Sequence, residues 1–86
     1  MMVKLDNDTM TPFVREKLLI SISASLGHRA NHVNESIALT DTILAKLQTD
    51  YKTPLLTRDN IVTTTQEVLR NFDDVAAIYY SAYHKL

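Results

Sequence analysis

Residues 3–18 decide the fold, and their sequence is Val-Lys-Leu-Asp-Asn-Asp-Thr-Met-Thr-Pro-Phe-Val-Arg-Glu-Lys-Leu. Two short apolar-ended arms, residues 2–5 and 10–13, flank the polar residues 6–9. Because Asp and Asn tolerate left-handed backbone and hydrogen-bond their own main chain, this pattern predicts a β-hairpin. A hairpin this small is marginal alone, so the rest of the chain must supply an apolar surface beneath it.

An amphipathic helix is predicted directly after the hairpin. Apolar side chains recur there at steps of three and four residues, the period of one helix face, at Val14, Leu18, Leu19, Ile22 and Leu26. Two starting points remain open. Thr11 would cap the helix with Pro12 in its first position, or Pro12 would lie in an edge strand and the helix would begin near Val14. Gly27 is expected to close the helix as its C-cap.

Three further helices are predicted downstream. The second covers residues 31–50, and one of its sides carries Val33, Ile37, Ile43, Leu44, Leu47 and Tyr51. The third covers residues 58–71, with Thr57 as N-cap and Asp59 in the first turn. Its expected buried side chains are Ile61, Thr65, Val68, Leu69 and Phe72. A strand at residues 63–65 is the alternative, since β-branched side chains lose rotamers in a helix.

The last helix is predicted over residues 74–84, capped by Asp73. The side chains expected to face inward are Val75, Ile78, Tyr79, Ala82 and Tyr83. The chain is therefore predicted to be mainly α, a four-helix arrangement capped by a short N-terminal β-hairpin, in one domain over residues 1–86. The core is expected to include Leu18, Ile22, Ile43, Leu47, Ile61, Val68 and Val75.

The composition restricts the classes of function. With 9 basic and 10 acidic side chains the net charge is −1, so nothing draws the chain generally to nucleic acid or an anionic membrane. The absence of Cys removes disulfides, thiolate catalysis and cysteine zinc sites. No apolar run approaches the roughly 20 residues that span a bilayer, and we expect no leader sequence ahead of the domain. We expect a cytoplasmic protein without a membrane or direct nucleic-acid partner.

The sequence offers little for catalysis. His28 and His32 are four residues apart, a spacing that binds a metal on a helix. Gly27 and Arg29 beside them indicate a turn instead, and no HExxH glutamate follows. No nucleophile elbow is present, and a single Gly rules out a glycine-rich phosphate loop. We expect no catalytic residue, no metal site and no enzymatic activity.

Both ends of the chain resemble the ATP-cone family, the regulatory nucleotide-binding domains of class I and III ribonucleotide reductases and of the zinc-ribbon repressors of their genes. Family members open with Val-x-Lys-Arg-Asp-Gly, a few polar residues, then Phe-Asp-x-x-Lys-Ile or Leu. Residues 13–18, Phe-Val-Arg-Glu-Lys-Leu, fit the second half of that pattern. Residues 72–85, Phe-Asp-Asp-Val-Ala-Ala-Ile-Tyr-Tyr-Ser-Ala-Tyr-His-Lys, are similar to the family ending Leu-Asp-x-Val-Ala-Tyr-Val-Arg-Phe-Ala-Ser-Val-Tyr-Arg.

The resemblance implies ATP or dATP as ligand, with Mg²⁺ as a possible companion, and it assigns positions to the phosphates. Lys17 matches the family lysine that reaches them, and Thr57 matches a Ser or Thr near phosphate at the start of the third helix. Lys4 takes the place of the hairpin lysine if the turn is one residue longer, whereas an ungapped alignment puts Leu5 there. Both alignments lose the family arginine. The positions that approach the nucleotide from the last helix are Tyr83, His84 and Lys85.

The resemblance also implies a slot for the base between the hairpin and the first helix. Val3, Phe13, Leu18 and the adjacent Val14 would form it, although direct packing of the hairpin on the helix explains the same residues. Val14 replaces the Asp or Asn that the family uses beside the base and as a helix cap, so selectivity for adenine is open.

Two functions follow from this resemblance. In the first, a stand-alone domain senses ATP or dATP and acts by self-association or on a protein partner, such as a ribonucleotide reductase or a regulator. A homo-oligomer is expected, with Tyr79, Tyr80 and Tyr83 as anchors. In the second, a degenerate ATP-cone has lost the nucleotide and serves as a helical protein-interaction module.

Overall fold

The computed structural model describes residues 2–4, 9–50 and 55–83. These residues form β1 (Met2–Lys4), β2 (Met10–Pro12), α1 (Arg15–Ser25), α2 (His32–Asp50), β3 (Leu55–Thr57), α3 (Arg58–Phe72) and α4 (Asp74–Tyr83). The predicted class, mainly α with four helices and an N-terminal hairpin, is confirmed. Most of the predicted hairpin turn, Tyr51 and residues 84–86 lie outside the described ranges.

The three strands form one small sheet in the order β2-β1-β3. β1 pairs antiparallel with β2, which is the predicted hairpin, and Val3 lies opposite Thr11. β1 also pairs in parallel with β3, where Val3 lies beside Leu56. The sequence analysis did not predict β3. Val3 and Leu56 are buried, so the sheet is anchored on the helices through its central and β3 strands.

α1 begins behind the hairpin in the second of the two predicted ways. Pro12 lies in β2, and Val14 is the N-cap residue before Arg15. Leu18, Ile22 and Leu26 are buried as predicted, and Val14 is exposed. The prediction that Gly27 is the C-cap was wrong. Leu26 takes that position with φ of −100°, because its side chain belongs to the core and holds the chain there.

The buried face of α2 differs from the prediction at its N-terminal end. Ile43 and Leu47 are buried as predicted, whereas Val33 and Ile37 are exposed. Ser36 and Thr40 are buried instead, and their hydroxyls donate to the carbonyl oxygens of residues 32 and 36. Since these hydroxyls are satisfied within the helix, they can face the core. The sequence analysis missed them because it counted only apolar residues as buried.

α3 is helical through residues 63–65, so the alternative of a strand there was wrong. Thr65 and Leu69 are buried as predicted, and Ile61 and Val68 are half-buried against the core. Phe72 was predicted to be buried but is exposed, because it lies at the end of the helix under the guanidinium of Arg29. Thr65 is fully buried in the middle of the helix.

The buried face of α4 is the opposite of the predicted one. The side chains expected inside are exposed, namely Val75, Ile78, Tyr79, Ala82 and Tyr83. Ala76, Ala77 and Tyr80 face the core, where α4 packs against α3 and α1. The small side chains of Ala76 and Ala77 allow the helices to approach closely on this face. The prediction that Val75 is a core residue was therefore wrong.

Candidate functional site

A cleft of about 360 Å³ lies where the sheet meets α1, α3 and α4. This volume is at the lower end of the range of small-molecule sites, about 300–1,000 Å³. Most of the lining is apolar, and two cations face the cleft from different helices. The lining residues are Val3, Thr11, Pro12, Phe13, Val14, Lys17, Leu18, Ser21, Arg58, Ile61, Val62 and Tyr80.

Half of the residues predicted for a nucleotide site line this one cleft. They are Val3, Phe13, Val14, Lys17 and Leu18. β1 supplies the first, the connection from β2 the next two, and the first turn of α1 the last two. The hairpin therefore does not close fully on α1, and a cleft opens between them.

Three other predicted residues that the structure describes, Lys4, Thr57 and Tyr83, do not line the cleft. Thr57 precedes the lining residue Arg58, and its hydroxyl accepts from the backbone N–H of Asn60 at 3.1 Å while the Asn60 side chain accepts from the Thr57 N–H. Lys4 is exposed on β1, and Tyr83 is exposed at the end of α4. His84 and Lys85 lie outside the described residues.

Seven lining residues were not assigned to the site by the sequence analysis, and two of them, Arg58 and Tyr80, matter most for its chemistry. Arg58 is the first residue of α3, and Tyr80 lies on the buried face of α4. Burial raises the pKa of the Tyr80 phenol, and the charge of Arg58 opposes that shift. A signal for Arg58 was present in the sequence, because a cation in the first turn opposes the helix dipole and is unfavourable there without another role.

The two cations of the cleft have no acidic partner among the described residues. Within residues 2–4, 9–50 and 55–83, neither Lys17 nor Arg58 forms an ion pair, whereas Arg15, Arg29 and Lys46 each do. The N-terminus of α1 also adjoins the cleft, and Val14 offers it no side-chain cap. Uncapped backbone N–H groups and unpaired cations together favour an anion.

A second polar cluster lies away from the cleft, between the α1–α2 connection and the start of α4. Arg29 donates to both carboxylate oxygens of Glu35 at 2.8 Å and to Asp73 Oδ2 at 2.9 Å. His28 Nε2 lies 2.9 Å from the same Asp73 oxygen. The hydrogen bonds from His28 and Arg29 lower the pKa of Asp73 to about 2.

His28 and His32 do not lie on one helix, in agreement with the turn that the sequence predicts at residues 27–29. His28 lies in the connection and His32 is the first residue of α2, where its Nδ1 donates to the Arg29 carbonyl oxygen at 3.1 Å. Among the described residues there is no group of three or more His, Asp or Glu arranged to hold a metal ion. In the same part of the chain, every helix is too short or too polar to cross a bilayer.

No protein-family model matches this chain, and no curated protein does. The residues and their arrangement in the cleft are therefore the basis for an assignment of function.

Proposed function

We propose that this domain binds a purine nucleoside triphosphate, ATP or dATP, in the cleft and acts as a regulatory domain rather than as an enzyme. The observation that carries the proposal is the pairing of an apolar slot with two cations, Lys17 and Arg58, that have no acidic partner among the described residues. The resemblance of residues 13–18 to the ATP-cone pattern supports the same ligand.

The phosphates belong at the end of the cleft where α1 and α3 begin. Lys17 supplies a compact charge from the first turn of α1, and Arg58 supplies a planar guanidinium from the first residue of α3. Charge-assisted hydrogen bonds to phosphate oxygens are about twice as strong as neutral ones, and Arg forms them in pairs. Arg58 thus serves in place of the arginine that the hairpin lacks.

The base belongs against the apolar wall of the cleft. The lining includes Val3 and Phe13 from the hairpin and the segment after it, together with Leu18 from α1 and Val62 from α3. The phenol of Tyr80 also lines the cleft and stays protonated, since burial raises its pKa.

A ligand in this cleft contacts four elements at once, namely the sheet, α1, α3 and α4. Binding would favour the arrangement of these elements that fits the nucleotide best, which is a shift of population rather than catalysis. The output would be a changed surface for a second copy or for a protein partner such as a ribonucleotide reductase or a regulator.

Isothermal titration calorimetry with ATP, dATP and GTP, at fixed salt and with Mg²⁺, tests the proposal. Wild-type protein is expected to bind ATP or dATP. At 100 times the dissociation constant, ligand should add about 2.7 kcal/mol to the free energy of unfolding. If calorimetry detects no binding at millimolar ATP and dATP, the proposal fails. The domain would then be assigned as a protein-interaction module that binds no nucleotide.

Substitution of the two cations locates the site. Lys17→Met and Arg58→Met should each weaken binding by roughly ten- to a hundredfold, because a hydrogen bond to a charged group contributes about 1.5–3 kcal/mol. Arg70→Met is the matched control, since Arg70 is an exposed cation on α3 outside the cleft. If wild-type protein binds ATP and both cleft variants bind it equally well, the nucleotide lies elsewhere.

A further inference from the structure

A cavity of about 370 Å³ lies between α3 and α4. We call it the α3–α4 groove, and it shares no lining residue with the cleft beside the sheet. α3 contributes two of its lining residues and α4 contributes four, namely Gln66, Arg70, Asp74, Ala77, Ile78 and Ser81. The groove is therefore a separate place on the molecule, with the volume that a small ligand needs.

Two rows of side chains at helical spacing form the α3–α4 groove. Gln66 and Arg70 are four residues apart on α3, so they lie on one face of that helix. On α4, Asp74, Ile78 and Ser81 follow one another at steps of four and three residues and share a face as well. Because α3 packs against α4, the two rows border the same groove.

Arg70 and Asp74 give the groove one charge of each sign. Both side chains are exposed and line the same cavity. Within the described ranges, however, neither forms an ion pair, with the other or with a third residue. Glu67, which lines an adjoining cavity with Arg70, is paired with Lys46 at 3.7 Å. An anion alone would be repelled by Asp74 and a cation alone by Arg70, so the groove suits a ligand that carries both charges.

Gln66 adds an uncharged polar group to the same groove. Its side chain is only 8% exposed, and its amide NH₂ donates to the Ser81 hydroxyl. Its carbonyl oxygen accepts no hydrogen bond from the part of the chain that the structure describes. In that part, Thr65 Oγ1 is the one side-chain oxygen or nitrogen that is sealed in the core without a partner. The Gln66 oxygen is therefore open to the groove, where it can accept from an N–H group of a ligand.

We propose that the α3–α4 groove binds a free α-amino acid with an apolar side chain. The carboxylate of the amino acid accepts two parallel hydrogen bonds from the Arg70 guanidinium. Its ammonium group donates to the Asp74 carboxylate and to the Gln66 carbonyl oxygen. Its side chain lies against Ala77 and Ile78, the apolar part of the lining. The proposal does not rest on the nucleotide site, since the two cavities have no residue in common.

An NMR titration of the ¹⁵N-labelled full chain with millimolar L-leucine tests the proposal. The backbone amide signals of Gln66, Arg70 and Asp74 should shift in a saturable way. The signal of Lys17, which lies at the other cleft, should stay in place. The absence of a saturable shift, or shifts that are centred on Lys17, would overturn the proposal.

Two analogues of leucine test the charge pairing without any change to the protein. L-Leucinamide keeps the ammonium group and lacks the carboxylate, whereas N-acetyl-L-leucine keeps the carboxylate and lacks the ammonium group. Each should bind at least tenfold more weakly than L-leucine, because each leaves one charge of the groove without a partner. If either analogue binds as well as L-leucine does, the proposed recognition of both charges is wrong.

Substitutions then remove the two charges of the groove in turn. Arg70→Met and Asp74→Asn should each weaken L-leucine binding at least tenfold. The matched controls are Arg15→Met and Asp59→Asn, because Arg15 and Asp59 lie in the first turns of α1 and α3, outside the groove. Both controls should bind L-leucine as wild type does. A groove variant with wild-type affinity, or a control that loses as much affinity as its groove variant, would overturn the proposal.

Discussion

Arg29 connects three parts of the chain. Its guanidinium donates to Glu35 at the start of α2 and to Asp73 before α4, and it lies 4.7 Å from the centre of the Phe72 ring. Asp73 in turn accepts at Oδ1 from the backbone N–H groups of Val75, at 2.9 Å, and Ala76, at 3.4 Å. Arg29 thereby joins the start of α2 to the start of α4.

The low pKa of Asp73 gives stability a specific pH dependence. A carboxyl that ionises more readily in the folded state stabilises the fold above its unfolded pKa, about 3.9, and this contribution is lost as pH falls through about 2. Wild-type protein should therefore be more stable than Asp73→Asn at pH 5. That margin should shrink as the pH is lowered from 4 to 2.

Urea denaturation of both proteins at each pH measures this difference. The difference between the two free energies of unfolding cancels the titration of all carboxylates that do not interact with Asp73. A margin that stays constant down to pH 2 would show that His28 and Arg29 do not hold Asp73 ionised.

At the scale of elements, Thr57 has a defined structural role at the start of α3. Its hydroxyl accepts from the backbone N–H of Asn60, and the Asn60 side chain accepts from the backbone N–H of Thr57. The two hydrogen bonds form a capping box. Thr57→Ala should lower the free energy of unfolding by about 0.5–2 kcal/mol. For a domain of this size that corresponds to a drop in the thermal midpoint of several degrees.

Thr63→Ala is the control for this prediction, because Thr63 is exposed within the same helix. Ala favours a helix interior more than Thr does, so this variant should be as stable as wild type or slightly more stable. Calorimetric scans that show equal midpoints for Thr57→Ala and Thr63→Ala would contradict the capping role.

The helices could be predicted because their signals are local. Thr57 and Asp73 mark the starts of α3 and α4, and the apolar period marks α1. The missing parts depend on contacts between elements. β3 is three residues long and exists only through pairing with β1, and the inward face of α4 follows from helix packing that favours Ala76 and Ala77 over larger side chains.

The candidate site also has one part that could be predicted from local sequence and one part that could not. Lys17 and Leu18 could be singled out because they follow a recognisable pattern after Phe13. That Arg58 and Tyr80 join them could not be predicted, since the two residues reach the same cleft only when α4 packs against α1 and α3. Local sequence therefore specifies one wall of the cleft, and the tertiary fold supplies the other.

For the whole molecule, the core is concentrated in a few fully buried side chains. Ile43 is completely buried in the middle of α2. Ile43→Ala should cost about 2–5 kcal/mol, a large part of the total stability of a small domain. Ile20→Ala removes the same atoms from an exposed position on α1 and should change the free energy of unfolding far less.

Urea denaturation of the two variants checks this prediction, with circular dichroism as the probe of folding. The difference between the two losses of stability reports the effect of burial, because both variants remove the same atoms. Similar losses of stability in both variants would mean that the helices do not pack around Ile43.

The order of strands also has a consequence for synthesis on the ribosome. β1 is the central strand of the sheet, yet Met2 pairs with Leu55, about fifty residues later in the chain. At about 5–20 residues per second, Val3 waits roughly three to ten seconds for its parallel neighbour to be made. Until then the sheet beside the cleft lacks its third strand, so the cleft is completed only after β3 and the helices that follow it have been made.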